Sequence, residues 1–212
     1  MDVARPYSTV SPKLEGDVLR ALAGTTRLLT GREVTLLTGK TSHSGVMAVL
    51  SRLVEHGLVE RVELNRTSLY ALNRDHLAAP AVELLMGMRE KLLDQIRRKL
   101  GAWQIAPLHA SLFGSTARGD GDAQSDIDLF VVRPDDVDED HPAWCSQIDD
   151  LRTQILRWTG NGAGVVQVSE SEVAHLLDEE PPIVADLRSD AIVLHGPEID
   201  ALSEVDSMSH AT

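Results

Sequence analysis

Three amphipathic helices are predicted in the first third of the chain. Apolar residues recur every three or four positions over Leu14–Leu22, in a short segment after Thr30, and again over Val46–Val54. Thr30 can cap the second helix, and Thr41 or Ser42 the third, because a side-chain hydroxyl can accept a hydrogen bond from a free N–H group in the first turn. A glycine follows each segment, as is typical where a helix ends.

A β-hairpin is predicted directly after the third helix. Residues 58–64 alternate apolar and polar side chains, as a half-buried strand does, and residues 67–72 return as a second strand. Asn65 and Arg66 lie between them and supply the turn. The first third of the chain is therefore expected to fold as three helices and a hairpin.

The rest of the chain has the pattern of an α/β domain. Long helices are predicted from Val82 to about Leu100 and from Ala143 to Trp158. Short apolar strands are expected at residues 108–113, 127–132, 165–168 and 191–194. The expected fold class is α/β, or α+β, with two domains. We expect an N-terminal tail at residues 1–13, a helical domain with a hairpin at 14–78, a connecting helix at 79–101, an α/β domain at 102–196 and a flexible C-terminal tail at 197–212.

The charge of the chain is unevenly distributed. The 212 residues include 20 Lys and Arg against 33 Asp and Glu, a formal net charge of −13. Residues 1–76 carry 10 basic and 8 acidic side chains, whereas residues 77–212 carry 10 and 25, so the two domains are expected to have different partners. This balance argues against a uniformly basic nucleic-acid coat and against polybasic binding to a membrane surface.

The sequence predicts neither a membrane protein nor an exported one. No apolar run approaches the roughly 18 residues that a bilayer-spanning helix needs. The N-terminal segment has no cationic stretch followed by an apolar one. Cys145 is the single cysteine of the chain, which excludes an internal disulfide and a thiolate metal site. We therefore expect a cytoplasmic protein with no membrane partner.

Two segments of the second domain carry residues suited to phosphate and metal chemistry. Gly114 and Ser115 follow an apolar strand and open a helix, where free backbone N–H groups and a small hydroxyl can hold a phosphate. Asp126 and Asp128 are two residues apart on the next strand, so their carboxylates project from the same face. They can converge on one divalent cation, because Mg²⁺ prefers carboxylate oxygens as ligands. This combination predicts nucleotidyl transfer.

The motif G-S-T-A-R-G followed by S-D-I-D-L resembles that of the minimal nucleotidyltransferases of the DNA polymerase beta superfamily, over about residues 82–196. The resemblance implies a short mixed sheet flanked by helices. It also implies that Gly114, Ser115 and Arg118 bind the NTP, ATP included. Asp126 and Asp128 would be the catalytic residues and would bind Mg²⁺, or Mn²⁺ in its place. The alternative for Arg118 is that it pairs with nearby acidic side chains.

One position departs from the pattern of these nucleotidyltransferases. They usually carry a third carboxylate on the next strand, where it binds metal and helps to deprotonate the attacking hydroxyl. The residue expected to align with it here is Gln167, and an amide cannot act as a base. Glu170 or Glu172 could substitute in a different register, although both fit the start of a helix, where the dipole favours them. The predicted activity therefore depends on whether turnover tolerates Gln167.

The first domain resembles the winged helix-turn-helix domains of bacterial repressors over about residues 14–76. The resemblance implies binding to double-stranded DNA, with the third helix in the major groove and the hairpin as the wing. The residues expected at this interface are Ser42, His43, Ser44, Arg52 and Arg66. Because the domain has little net charge, specific binding is expected to need a homodimer. The alternative is that this domain binds a protein or positions the catalytic domain.

The sequence thus predicts a two-domain enzyme that transfers a nucleoside monophosphate from Mg·NTP to a hydroxyl of a macromolecular acceptor, either protein or RNA. The resemblance also implies a role in a toxin-antitoxin system. The alternative is a non-catalytic transcriptional regulator whose nucleotidyltransferase domain binds nucleotide or a protein partner. A third hypothesis, a small-molecule nucleotidyltransferase of the antibiotic-modifying kind, is disfavoured because the sequence has no extended acceptor domain.

Overall fold

The computed structural model describes residues 1–39, 42–122 and 124–202. The chain divides into two compact units, which we call the first and the second unit. The first unit is Arg5–Arg89, and the second is Met1–Ala4 together with the chain from Glu90 onward. Of the expected C-terminal tail, residues 203–212 lie outside the described part of the chain.

The first unit contains helices and a small antiparallel sheet. Its elements are α1 (Leu14–Ala23), β1 (Leu29–Thr30), α2 (Gly31–Leu37), α3 (His43–Glu55), β2 (Val59–Leu64), β3 (Thr67–Leu72) and α4 (Ala79–Met86). The sheet has the strand order β1-β3-β2, with β2 and β3 forming the predicted hairpin. Apolar residues of α1, α2, α3 and the sheet share one core, as their helical and strand spacing predicts.

Two of the predicted helix caps form. The Thr30 side chain accepts a hydrogen bond from the Glu33 backbone N–H, and the Glu33 carboxylate accepts one from the Thr30 backbone N–H at 2.7 Å, which completes a capping box on α2. Ser42 caps α3 by accepting from the Gly45 N–H at 3.3 Å. Thr41, the other candidate cap, lies outside the described residues.

The long helix predicted from Val82 to about Leu100 is interrupted. It forms two helices, α4 and α5 (Met88–Gly101), with Gly87 between them. Gly87 has a ψ of 4°, which is outside the helical range, and glycine is a weak helix former. The expected connecting helix at residues 79–101 is therefore two shorter helices.

Both predicted tails contain packed residues. Val3 is buried in the core of the second unit, and Ile199 is buried beside its sheet. Tyr7, in a short 3₁₀ turn over Pro6–Thr9, is also buried and donates a hydrogen bond from its hydroxyl to Asp17 Oδ1 at 2.7 Å. Apolar side chains that the sequence analysis left out of the core thus anchor these segments.

The second unit is built on a four-stranded mixed sheet with the order β6-β5-β4-β7. After α5 its elements are β4 (His109–Phe113), α6 (Gly114–Arg118), β5 (Ile127–Arg133), α7 (Pro142–Thr159), β6 (Ala163–Ser169), α8 (Glu170–Glu179), α9 (Pro182–Ser189) and β7 (Ile192–His195). β5 is parallel to β6 and antiparallel to β4, which is antiparallel to β7.

Helices cover both faces of this sheet. Ile127, Leu129 and Val131 of β5 lie in one core with apolar residues of α5 and α7, whereas Phe130 and Val132 lie in another with residues of α8 and α9. This alternation is the two-residue period of a strand that is buried on both sides. The short mixed sheet with flanking helices agrees with the expected α/β class. No helix of the described residues is long and apolar enough to cross a membrane.

Candidate active site

Asp126 immediately precedes β5 and Asp128 is the second residue of this strand, and both lie on one face of the sheet. Ile127 and Leu129 alternate with them and are buried in the core on the opposite face. Asp128 pairs in register with Phe113 of β4 on one side and with Gly164 of β6 on the other. The strand alternation that the sequence predicted therefore brings the two carboxylates together.

Three glycines approach these carboxylates closely. A Cβ atom added at Gly162 would lie 2.6 Å from Asp126 Oδ1, and one added at Gly164 would lie 2.8 Å from Asp128 Oδ1. A Cβ at Gly114 would lie 3.0 Å from Asp128 Oδ2. Any larger residue at these positions would have to displace a carboxylate. We call Gly114, Gly162 and Gly164 the glycine cradle.

The two carboxylates repel each other, and no basic side chain of the described residues forms an ion pair with either of them. Burial raises the pKa of the Asp128 carboxyl, and the negative charge of Asp126 raises it further. A bound cation would relieve this repulsion. In the described part of the chain no cluster of three or more His, Cys, Asp or Glu residues is suited to a metal. A cation here would take its remaining ligands from water and substrate.

The Gly114-Ser115 turn lies directly beside Asp128. Gly114 has a φ of +69°, a left-handed conformation that favours glycine, and it begins the single-turn helix α6. The Ser115 carbonyl accepts the backbone N–H groups of Gly119, Asp120 and Gly121 at 3.0–3.2 Å, which folds the following loop back over Ser115. The residues predicted to hold phosphate and the residues predicted to hold metal thus adjoin.

Arg118, at the end of α6, is exposed and engaged by acidic side chains. Its guanidinium donates to Asp120 Oδ2 at 3.4 Å and to Asp186 Oδ1, on α9, at 3.2 Å. The hydrogen bond to Asp120 is the main cause that raises the pKa of Arg118 above its usual value. The pairing with nearby acids that the sequence analysis offered as an alternative is therefore present.

The sequence also matches a known family over this part of the chain. The family model for the nucleotidyltransferase domain matches residues 89–196, just over half of the 212 residues. The chain belongs to the nucleotidyltransferase domain family. The match includes the Gly114-Ser115 turn, Asp126 and Asp128, and it confirms the family that the motif resembled.

Two further comparisons add little to this membership. The crystal structure of a toxin-antitoxin with AMP-PNP shares 17% sequence identity, with 56% of this chain and 86% of that chain covered. Its TM-score is 0.35, so this likeness carries no conclusion for the nucleotidyltransferase domain. No curated protein matches the chain.

The expected role of Gln167 as the replacement of the third carboxylate is wrong for this nucleotidyltransferase domain. Gln167 pairs in register with Val131, three positions beyond the Asp128–Gly164 pair, which places it on the opposite face of the sheet. Its Oε1 accepts a hydrogen bond from the Trp144 indole at 2.6 Å. The residues of β6 that share the face of Asp128 are Gly164, Val166 and Val168, and none of them bears a carboxylate.

Glu172 does not reach this position either. Its carboxylate accepts from the Ser169 backbone N–H at 2.7 Å, and Ser169 accepts from the Glu172 N–H in return, so the two form a capping box on α8. Glu170 is the first residue of the same helix. Both glutamates therefore stand at a helix start, as the sequence analysis favoured.

Two side chains that the sequence analysis did not select bind the main chain around Asp126. The Thr116 hydroxyl donates to the Asp126 carbonyl at 3.1 Å. The Asn161 Nδ2 donates to the Ser125 carbonyl at 2.8 Å. Its contact spans 36 positions and leaves no local signal in the sequence.

The residues predicted to contact DNA lie on α3 and the hairpin of the first unit. Ser42, His43 and Ser44 are exposed at the start of α3. Arg52 is also exposed, but its guanidinium donates to Glu15 on α1 at 3.0 Å. Arg66 occupies the hairpin tip with a φ of +67° and forms no ion pair with the described residues. Ser42, His43 and Ser44 are thus adjacent at the start of α3, whereas Arg52 is paired with Glu15.

Proposed function

We propose that this protein transfers a nucleoside monophosphate from Mg·NTP to a hydroxyl of a macromolecular acceptor, either protein or RNA. The observation that carries the proposal is the placement of Asp126 and Asp128 on one sheet face, beside the Gly114-Ser115 turn of a nucleotidyltransferase domain. Phosphoryl transfer uses both functions, a metal held by carboxylates and a turn that holds phosphates.

The residues fit a divalent cation such as Mg²⁺ or Mn²⁺. The donors are carboxylate oxygens, which are hard ligands, and Gly162 and Gly164 leave the room that both carboxylates occupy. Asp126 and Asp128 would hold the cation. When bound, it would neutralise the charge that develops on the transferred phosphoryl group.

The turn residues supply the phosphate side of the site. The backbone of Gly114 and the Ser115 hydroxyl would bind the triphosphate, since the left-handed Gly114 leaves no side chain in the way. Arg118 would exchange its exposed contacts with Asp120 and Asp186 for a phosphate, because a surface ion pair is weak and readily replaced. In this assignment Arg118 pairs with Asp120 and Asp186 when no nucleotide is bound and with a phosphate when it is.

A macromolecular acceptor is favoured by the architecture of the second unit. Its described residues form one sheet with flanking helices, and they include no further subdomain that could enclose a small acceptor. Because β6 is an edge strand, the acceptor would approach the site at an open side of the sheet. A toxin-antitoxin role and a cytoplasmic location stay predictions.

We also propose that the first unit is a winged helix-turn-helix domain that binds double-stranded DNA. The order of α1, α2, α3 and the β2–β3 hairpin supports this, as does Arg66 at the hairpin tip. Ser42, His43 and Ser44 would lie at the groove, and Arg52 would contact DNA by exchanging Glu15 for a phosphate. Specific binding would use a homodimer.

A second candidate function is favoured by one observation. No carboxylate of β6 shares the face of Asp128, so no residue of that strand is placed to take the proton of an acceptor hydroxyl. The chain would then be a regulator that binds nucleotide or a protein partner without transfer. Nucleotide and metal binding belong to both candidates, whereas transfer belongs only to the first.

The test is transfer of label from each α-labelled NTP onto protein or RNA of a cell extract, with Mg²⁺ or Mn²⁺. The Asp126→Asn/Asp128→Asn protein is the inactive control, and Asp149→Asn, an exposed residue of α7, is the matched control for a lost surface charge. Transfer by the wild type and by Asp149→Asn, but not by the double variant, supports the enzyme. Binding of nucleotide without transfer of label supports the regulator.

A further inference from the structure

Hydrogen bonds hold the main chain at Asp126 and at the residues on either side of it, Ser125 and Ile127. The Ser125 carbonyl accepts from Asn161 Nδ2 at 2.8 Å, and the Asp126 carbonyl accepts from the Thr116 hydroxyl at 3.1 Å. The Ile127 N–H donates to the Gly162 carbonyl at 2.9 Å. Two of these three contacts come from side chains.

Asp126 needs such contacts more than Asp128 does. Asp128 lies inside β5 and is paired on both sides, whereas Asp126 precedes the first residue of the strand. The direction of the Asp126 carboxylate therefore depends on the residues that hold the backbone on either side of Asp126. The two side chains that do so are themselves fixed, since Thr116 is 2% exposed and Asn161 is 4% exposed. Their hydrogen bonds are thus shielded from competition by water.

Thr116 joins the two halves of the site. It lies in α6 between Ser115 and Arg118, the residues assigned to the triphosphate, and its hydroxyl reaches the carbonyl of a residue assigned to the metal. The hydroxyl thus links the turn to the Asp126 backbone. A valine in place of Thr116 would keep the shape of the side chain and remove the hydroxyl that donates to Asp126.

Hydrogen bonds at both the oxygen and the nitrogen of its side-chain amide orient Asn161. Its Oδ1 accepts a hydrogen bond from the Met1 ammonium at 2.6 Å, which leaves Nδ2, the donor end, directed at the Ser125 carbonyl. The backbone is fixed as well, because the Asn161 N–H donates to the Thr159 hydroxyl at 3.0 Å just after the end of α7. The side chain has one arrangement that satisfies all of these partners.

We propose that Thr116 and Asn161 are positioning residues, which set the direction of the Asp126 carboxylate for cation binding and, through Thr116, couple it to the nucleotide turn. This inference rests on the proposed function, because it assigns the support of the metal site named there. Residues that orient metal ligands typically change metal affinity by about 10- to 100-fold when they are replaced.

The test is a titration of the full-length protein with Mn²⁺, followed by the EPR signal of the free ion. Thr116→Val is compared with Thr116→Ser, which retains the hydroxyl. We expect Thr116→Val to weaken Mn²⁺ binding about tenfold and Thr116→Ser to restore it to within about twofold of the wild type. We also expect added nucleotide to tighten Mn²⁺ binding less in Thr116→Val than in the wild type.

Thermal unfolding of each variant separates positioning from folding. Equal Mn²⁺ affinity of Thr116→Val and the wild type would overturn the role of Thr116. So would equal weakening by Thr116→Val and Thr116→Ser, since the hydroxyl would then be irrelevant. If the wild type itself binds no Mn²⁺, the proposed metal site fails and this inference fails with it, a result distinct from the other two.

Asn161→Leu tests the second residue by the same titration. It removes the donor to Ser125, so we expect Mn²⁺ binding about tenfold weaker than in the wild type. Unchanged affinity in folded Asn161→Leu would overturn the role of Asn161. Should that variant fail to fold, Asn161→Ser, which is smaller and still polar, gives the same comparison with the same expected loss.

Discussion

Gly164 and Asp128 are partners in the parallel register of β6 and β5, and a Cβ on Gly164 would lie 2.8 Å from Asp128 Oδ1. The carboxylate thus occupies the space that a side chain of β6 would fill. The neighbour of Asp128 on β6 is therefore a glycine, and Gln167 faces the other side of the sheet.

Gly164→Ala should impair metal binding without unfolding the protein. The added Cβ displaces the Asp128 carboxylate, a flexible group that can move, whereas a metal site tolerates errors of only about 0.5 Å. We expect Mn²⁺ affinity to fall about tenfold or more, measured by titration. Gly101→Ala is the matched control, because a Cβ there meets nothing within 4 Å. Equal Mn²⁺ affinity in the two variants would contradict the cradle.

Asp128→Asn should stabilise the protein in the absence of metal. Burial and the charge of Asp126 raise the pKa of Asp128 in the folded state, so its ionised form is disfavoured there relative to the unfolded chain. The folded state binds more protons between the unfolded and folded pKa values, and stability from this group therefore falls as pH rises through that window. The destabilisation by ionised Asp128 is fully present at neutral pH and absent below the pKa of Asp128 in the unfolded chain.

Thermal unfolding at two pH values measures this effect. At pH 7 we expect Asp128→Asn to raise Tm by about 1–3 °C, since 1 kcal/mol corresponds to about 2–4 °C in a chain of this size. The difference in Tm between Asp128→Asn and the wild type should decrease as pH falls towards 4. A lower Tm for Asp128→Asn than for the wild type at pH 7 would show that Asp128 stabilises the apo fold instead.

Asp186→Asn should strengthen nucleotide binding. The Asp186 carboxylate accepts from Arg118 at 3.2 Å, and both side chains are exposed, so this pair competes weakly with a phosphate for the guanidinium. Removing one of the two acidic partners of Arg118 should tighten NTP binding about two- to threefold at low salt, measured by equilibrium dialysis. Arg118→Ala should weaken it. Asp149→Asn, which removes a charge from α7, is the control, and an equal effect of both aspartate variants would point to net charge alone.

Arg66→Ala should weaken DNA binding and reduce its dependence on salt. Arg66 has no ion-pair partner among the described residues, so its charge is available to a phosphate at the hairpin tip. Loss of one such contact lowers the slope of log K against log salt by about 1. Arg61→Ala is the matched control, because Arg61 is already paired with Glu63 on the same hairpin. An unchanged slope for Arg66→Ala would exclude a phosphate contact.

The sequence predicted those parts of the site that depend on local pattern. Spacing of two residues placed Asp126 and Asp128 on one face, and the side chains of Thr30 and Ser42 cap the helices that follow them. The motif identified the family. These features depend on neighbours within a few positions, which a single sequence displays directly.

Features that depend on distant residues were missed. The face of Gln167 follows from the register between β5 and β6, and a shift of one residue reverses it. The contacts of Asn161 reach Ser125 and Met1, 36 and 160 positions away. Val3 is an isolated apolar residue whose burial follows only from the packing of the second unit. A local pattern contains none of this information.

The most direct measurement is the binding of a labelled, non-hydrolysable NTP to the wild type and to Asp126→Asn/Asp128→Asn, with and without Mn²⁺. We predict that Mn²⁺ strengthens binding to the wild type and has no effect on the double variant, because the two carboxylates would hold the cation whose charge favours the bound phosphates. Binding that Mn²⁺ strengthens equally in both proteins would contradict the assignment of Asp126 and Asp128 as the metal site.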